Sequence, residues 1–201
     1  MSKFKQPLIK VTGLRRRWLI NTLCVVLPLA IVCVLAVTAA FAAYYYSGME
    51  SDLRYRARTT TDFFAENMNV DYNAYYKSCV KYAQTYEDRN SIELQFINAQ
   101  GQLVASSYGP WAGEAPKTNE IKEAMDTRTP RAFVGVDENT GEHIMAVSSP
   151  MIYGDGEVIG VLRYVTSTQL LDQQILYVAL VALAAFFVIL GVVVFSGWFF
   201  V

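Results

Sequence analysis

Apolar residues in this chain form two long uninterrupted runs, with a patterned polar segment between them. Trp18 to Met49 contains no Asp, Glu, Lys or Arg, and neither does Gln173 to Val201. A hydrocarbon layer about 30 Å thick takes roughly 20 apolar residues to cross as a helix. Each run is long enough. The expected organisation is a tail (1–17), a first span (18–46), a polar domain (47–172) and a second span (173–201).

The pattern changes inside the polar domain. Met49, Leu53, Ala57, Thr60, Phe64 and Met68 recur three or four apart, the stripe of an amphipathic helix continuing the first span. Arg54, Arg56, Arg58, Asp62 and Glu66 lie between them as a solvated face, and the stripe is also a candidate dimer seam. Asp71 suits the N-cap of a second helix with Tyr72, Tyr75 or Tyr76, Cys79, Tyr82 or Ala83, and Tyr86 on one side. Tyrosines at this spacing fit core and interface better than a ligand cage.

From Ser91 the period becomes two. Ile92, Leu94 and Phe96 alternate with Glu93 and Gln95, which predicts a half-buried strand. Asn98-Ala99-Gln100-Gly101 is a turn, and Leu103 to Ser107 a second strand. A breaker-rich loop (Tyr108-Gly109-Pro110-Trp111-Ala112-Gly113) precedes a short helix capped by Thr118, with Ile121, Ala124 and Met125 inward. It ends at Thr129-Pro130. Three strands follow: Ala132–Asp137, His143–Met151 and Glu157–Thr166. Their connections, Glu138-Asn139-Thr140-Gly141 and Tyr153-Gly154-Asp155-Gly156, are hairpin turns, so neighbours run antiparallel. The fold class is α+β: a five-stranded antiparallel sheet, one face covered by the long N-terminal helices, between two transmembrane helices. Gly160, inside a strand, marks a close approach; helix packing is favoured over a ligand.

Charge orients this arrangement. Lys3, Lys5, Lys10, Arg15, Arg16 and Arg17 precede the first run without an acidic residue, while all 18 acidic residues lie between Glu50 and Asp172. The positive-inside rule puts the N-terminus in the cytoplasm, residues 47–172 outside and the chain's end back at the inner face. Tyr44, Tyr45 and Tyr46 would form an outer aromatic belt, and Trp198, Phe199 and Phe200 an inner one. Ala40-Phe41-Ala42 imitates a signal-peptidase site. The apolar stretch before it exceeds the roughly 7–15 residues of a signal core, which favours a retained helix. Cys24 and Cys33 fall in the first span, so Cys79 has no intrachain partner outside the membrane and reads as a buried small side chain.

The order of elements resembles the extracytoplasmic PAS-like sensor fold of the Cache/PDC type. Two stretches carry the resemblance. Met145-Ala146-Val147-Ser148-Ser149-Pro150-Met151 leads through a glycine turn to Val158-Ile159-Gly160-Val161-Leu162. Phe96-Ile97-Asn98-Ala99-Gln100-Gly101-Gln102-Leu103 resembles the family's earlier hairpin. The resemblance covers about residues 47–172. It implies a small-molecule site between the sheet and the loops and short helix on its far side. Candidate contacts are Arg163, Arg131 and His143, with Tyr108, Trp111 and Tyr153 as walls. Arginine's planar donor fork suits a carboxylate, so an anionic or carboxylate-bearing ligand is favoured. Each has a plainer reading: Arg131 and His143 as exposed side chains, and Arg163, lying in an apolar strand, as half of a structural ion pair.

Such proteins resemble the sensory parts of bacterial two-component sensor histidine kinases. The resemblance implies a homodimer in the lipid bilayer and a cytoplasmic response regulator reached through a region beyond Val201. That end reads as a cut. Chemoreceptors and cyclic-dinucleotide enzymes share the plan, and a membrane-anchored binding protein is the alternative of another class. No catalytic constellation, phosphate-binding glycine loop or zinc ligand set is visible. No cofactor and no nucleic-acid partner is expected. Asp137-Glu138-Asn139-Thr140-Gly141-Glu142 lacks the spacing of an EF-hand and reads as a hairpin turn.

Overall fold

The stripe beginning at Met49 is the inner face of a helix that starts long before it. A computed structural model describes residues 12–67, 72–109, 113–114, 116–138, 140–153 and 156–200. Its elements are α1 (Thr12–Asn67), α2 (Tyr72–Gln84), β1 (Ile92–Asn98), β2 (Gln102–Ser106), β3 (Gly113–Glu114), α3 (Asn119–Thr127), β4 (Arg131–Val136), β5 (His143–Ile152), β6 (Val158–Ser167) and α4 (Gln169–Phe200). The chain divides into two units, residues 1–43 with 173–201, and residues 44–172. In the first unit, Leu29, Leu35, Phe187 and Val188 are exposed, as suits side chains solvated by lipid. Among the described residues, two helical stretches are long and apolar enough to cross a membrane, Ile20–Glu66 and Gln169–Ser196.

The second unit is α+β, with the expected five antiparallel strands and a two-residue sixth, β3, on one edge. The sheet order is β3-β2-β1-β6-β5-β4. The first hairpin and the last three strands therefore meet where β1 pairs β6 in register from Ile92↔Thr166 to Asn98↔Gly160. Gly101 takes the positive φ (76°) that the β1–β2 turn requires.

One face is covered by α1 and α2. Leu53, Ala57 and Phe64 of α1, with Cys79 and Ala83 of α2, pack on Ile92, Leu94, Phe96, Ala105, Met145, Val147, Leu162 and Tyr164. The Phe64 ring meets Phe96 edge-on at 5.3 Å and Tyr82 at 5.4 Å. The Tyr164 hydroxyl, buried in this layer, shares a 2.8 Å hydrogen bond with Thr60 Oγ1. These contacts use up the α1 stripe, so it is not the dimer seam the spacing allowed. Met68 and Asp71 lie outside the described residues.

The charged side of α1 is more than a solvated face. Arg54 Nη1 donates to the Pro130 carbonyl at 2.9 Å. Arg56 pairs with Asp52 on its own helix and with Asp88 beyond α2, which ties α1 to the turn leading into β1. Tyr46 also departs from the expected belt: its hydroxyl donates to Asp172 and its ring packs on the core.

The opposite face carries α3, anchored by Ile121 and Ala124 on Ile97 and Val161. The helix stops at Arg128, which takes a left-handed conformation (φ 55°). Gly160 does not serve helix packing. A Cβ there would run into the Ile97 carbonyl oxygen and sit 3.3 Å from Asn98 Cα. Its close neighbour is the backbone of β1.

Candidate functional site

On the α3 side, a single rung of polar residues crosses five strands. The pairings Ser106↔Gln95, Gln95↔Arg163, Arg163↔Ser148 and Ser148↔Arg131 follow one another through β2, β1, β6, β5 and β4. The next rung, Val165, Ala146 and Phe133, is apolar across β6, β5 and β4. Strand alternation sends residues 93, 95 and 97 of β1 to this side, because Ile92, Leu94 and Phe96 face the long helices. Gln95 is buried here rather than solvated as the half-buried strand implied.

Arg163 is the centre of the rung and is wholly buried. Its Nε donates to Glu120 Oε1 at 2.8 Å, its Nη1 to Gln95 Oε1 at 2.9 Å and its Nη2 to Thr118 Oγ1 at 3.2 Å. Thr118 in turn donates to Glu120 Oε1 at 2.8 Å. A buried guanidinium is tolerated only when a counter-charge and acceptors meet it; Glu120 supplies the charge, and the three partners accept from Nε, Nη1 and Nη2, three of the five N–H donors. The first turn of α3 is a favourable place for Glu120, since the exposed amides of a helix start stabilise a carboxylate.

The network continues toward the loop after β2. Gln95 Nε2 donates to Glu93 Oε1 at 2.9 Å, and Ser106 Oγ to the same oxygen at 2.6 Å. The Tyr108 backbone N–H donates to Ser106 Oγ at 3.0 Å. Partial burial, then the charges of Glu93 and Glu142, raise the Tyr108 phenol above its ordinary value. Among the described residues, two buried polar atoms in this layer have no partner, Glu120 Oε2 and Ser148 Oγ.

The other residues singled out from the sequence are spread along the domain. Arg131 ends the rung, half-exposed, with Nε donating to Thr127 Oγ1 at 3.3 Å. The Tyr108 side chain is exposed. His143 opens β5, exposed, and alternation puts it on the face of Met145 and Val147 rather than that of Ser148. Tyr153 sits in the exposed turn after the same ten-residue strand. At about 3.3 Å per residue, His143 and Tyr153 are roughly 30 Å apart. They do not line one small-molecule pocket. Trp111 lies outside the described residues.

Glu93, Gln95, Ser106, Thr118, Glu120 and Ser148 were not singled out in advance. The available signal was slight: Gln95 alternates with apolar residues as Glu93 does, Ser148 stands beside Ser149 in a mostly apolar strand, and Glu120 lies beside Ile121 on the short helix.

Neither a family model nor a curated protein matches the chain. Solved structures do. The ligand-binding domain of the Campylobacter jejuni chemoreceptor Tlp3 with L-valine matches at TM-score 0.50 and 14% identity, over 88% of this chain and 68% of that one. The same domain with isoleucine matches at 0.50 and 16%, over the same shares. The sensor domain of the Vibrio cholerae histidine kinase DctB matches at 0.52 and 13%, over 69% of this chain and 56% of that one. The likeness is one of fold. In agreement with the Cache/PDC resemblance, residues between the two apolar helices have the fold of bacterial sensory domains.

Proposed function

We propose that this chain is the sensory and membrane-signalling part of a two-component histidine kinase. Its domain at 47–172 faces outward and takes a small polar molecule on the α3 side of the sheet. The N-terminus and the end of the second span are cytoplasmic, the protein works as a homodimer in the bilayer, and a response regulator receives the signal. The carrying observation is the buried polar rung around Arg163, on the face the long helices leave to α3. An apolar rung would hold α3 as well or better, since buried ion pairs add little net stability, so binding is the more economical reason for its chemistry. The fold supports the reading, because Tlp3, which shares it, was solved with L-valine and with isoleucine.

Binding would reach the membrane through β6, which leads through Thr168 into α4. A shift from 1:99 to 99:1 needs about 5.5 kcal/mol of differential binding, within reach of a few charge-assisted hydrogen bonds. The chemoreceptor likeness favours a second reading, the same input module with a chemotaxis output. Two measurements test the proposal. A thermal-shift screen of the chain in nanodiscs against amino acids, amines and carboxylates is expected to find a stabilising compound; no shift anywhere overturns the small-ligand reading. Incubation of the protein from the uninterrupted gene with labelled ATP is expected to phosphorylate a histidine. No incorporation overturns the kinase output alone.

A further inference from the structure

The two edges of the sheet are unlike. On one side the last strand, β3, is two residues long. On the other, β4 runs from Arg131 to Val136 without a proline, without a bulge in its pairing to β5, and without a charge after Arg131. No described strand pairs with its outer side. Such an edge offers unpaired N–H and C=O groups to any extended chain, and proteins ordinarily blunt it.

Which groups are open follows from the register. The Asp137 N–H donates to the Glu142 carbonyl at 2.9 Å, one step beyond the Val136↔His143 pair. The odd residues of β4 therefore turn their backbone groups to β5, and Ala132, Val134 and Val136 turn theirs outward. The far side of β5 agrees. The Thr168 N–H donates to the His143 carbonyl, one step beyond Ile144↔Ser167, so odd residues of β5 serve β6 and even ones serve β4. Three N–H and three C=O groups thus line the edge. Pro130 ends the row, having no N–H and a carbonyl already taken by Arg54.

The side chains suit an added strand. Ala132 packs on the long-helix side, and alternation puts Val134 and Val136 there too, 52% and 47% exposed. On the α3 side the Phe133 ring lies along the strand over Gly135, where a Cβ would stand 2.7 Å from its Cζ. Charge gives the edge a direction. Arg128 and Arg131 lie at its start, Glu138 and Glu142 at its end, roughly 20 Å away. An antiparallel peptide of about seven residues spans that distance, with its ammonium beside the glutamates and its carboxylate beside the arginines. A parallel one meets like charges at both ends. A second copy fits worse. Antiparallel pairing centred on Val134 would put the two starts of α4, which lie at the Val136 end beside His143 and Thr168, at opposite ends of the joined strands. Two copies in one membrane start α4 on the same side.

We propose that the β4 edge binds a short extended peptide with free ends, antiparallel, hydrogen-bonded to Ala132, Val134 and Val136 and apolar at the alternate positions that meet the two valines. The site is separate from the small-molecule reading above and does not depend on it.

The test is titration of the chain in nanodiscs with the heptapeptide Thr-Val-Thr-Val-Thr-Val-Thr, read by calorimetry and by amide hydrogen exchange. In the proposed register its three valines fall opposite Val136, Val134 and Ala132. Binding is expected, with slowed exchange at those three amides. The same peptide N-methylated at its valines should not bind. Acetylating and amidating its ends should weaken it several-fold, as the loss of two exposed ion pairs does, and by less in Glu138→Gln than in the parent. Val134→Pro removes an N–H that bonds to nothing among the described residues, so the domain should melt as before while binding is lost. Val134→Lys, which puts a charge on the edge, should weaken binding and keeps the test open if the proline disturbs the strand. Equal binding of the N-methylated peptide, or binding unchanged in both variants, overturns the proposal. So does the absence of any binding. A dimer of the chain that dissociates in Val134→Pro gives the edge to a second copy and overturns it as well.

Discussion

Tyr46 and Asp172, 126 residues apart in sequence, are joined by a hydrogen bond from the tyrosine hydroxyl to Asp172 Oδ1. It links α1 near the first residues of the sensory unit to the first turn of α4, near the last. Thr168 Oγ1 donates to the other carboxylate oxygen at 3.3 Å, and the Thr168 N–H is held by the His143 carbonyl at 2.8 Å. The entering helix, the leaving helix and the start of β5 thus meet in one small cluster.

Tyr46→Phe removes this bond and the hydroxyl's interaction with Thr168 while keeping the ring. A hydrogen bond to a charged, part-buried group contributes about 1–2 kcal/mol, so the domain should melt a few degrees lower. Amides of the first turn of α4 should exchange faster, while those of β1 and β6 do not change. Hydrogen exchange on the full chain in nanodiscs checks this; unchanged exchange at residues 169–172 would show that the bond constrains nothing.

Gly160→Ala tests the close approach of β6 to β1. The added methyl meets the Ile97 carbonyl, and backbone cannot swing aside as a side chain can. The expected cost is about 1–3 kcal/mol, the range for overpacking a well-filled site. Gly48→Ala, where nothing lies within 4 Å, is the control and should be neutral or slightly stabilising within a helix. Equal melting temperatures for the two variants would contradict the strand-to-strand reading.

What local pattern could reveal follows from this geometry. The stripe at Leu53, Ala57, Thr60 and Phe64 and the alternation at Ile92, Leu94 and Phe96 are local properties, and they marked the helix-covered face. So were Ile121 and Ala124, which marked α3. The polar rung is not local. Gln95, Arg163 and Ser148 become neighbours only through pairings 68 residues apart in β1–β6 and across the β5–β6 hairpin, and no window on the chain contains them. Glu93 and Gln95 looked like a solvent side because alternation reports that two faces differ, not what covers each. The strand at Gly113–Glu114 is two residues long, too short to leave a period.

Alkaline pH should weaken the domain, and Cys79 is one reason. Burial pushes its thiol up to about 12 from 9.0. Above pH 9 the unfolded chain releases this proton while the folded chain keeps it, so this stability is fully present below pH 9 and lost as pH rises toward 12. At pH 10.5 the loss is up to about 2 kcal/mol. Tyr164 and Tyr86, both raised chiefly by burial, act in the same direction above pH 10. Cys79→Ala should therefore lose less stability than the parent between pH 8 and 10.5. Parallel pH profiles of melting temperature would contradict the burial of the thiol.

The Arg163–Glu120 pair gives a prediction in which removing both partners costs less than removing either one. Both side chains are essentially unexposed, so removing either partner leaves a charge buried alone, at about 3–5 kcal/mol. Arg163→Met strands Glu120 among Thr118 and the sheet, and Glu120→Leu strands Arg163 between Gln95 and Thr118. Removing both leaves an apolar contact continuous with Val161 and Ile121. The double variant should lose less than either single one, so the coupling between the sites must exceed one single loss, about 3–5 kcal/mol. Thermal melts of the four proteins measure it. The double variant should also fail to bind any compound that the thermal-shift screen finds for the parent, although its sheet and α3 are intact. Stability would then have been recovered without function, as expected if the pair is present for recognition rather than for holding α3 to the sheet. Additive losses would instead mean that Gln95 and Thr118 satisfy Arg163 without Glu120.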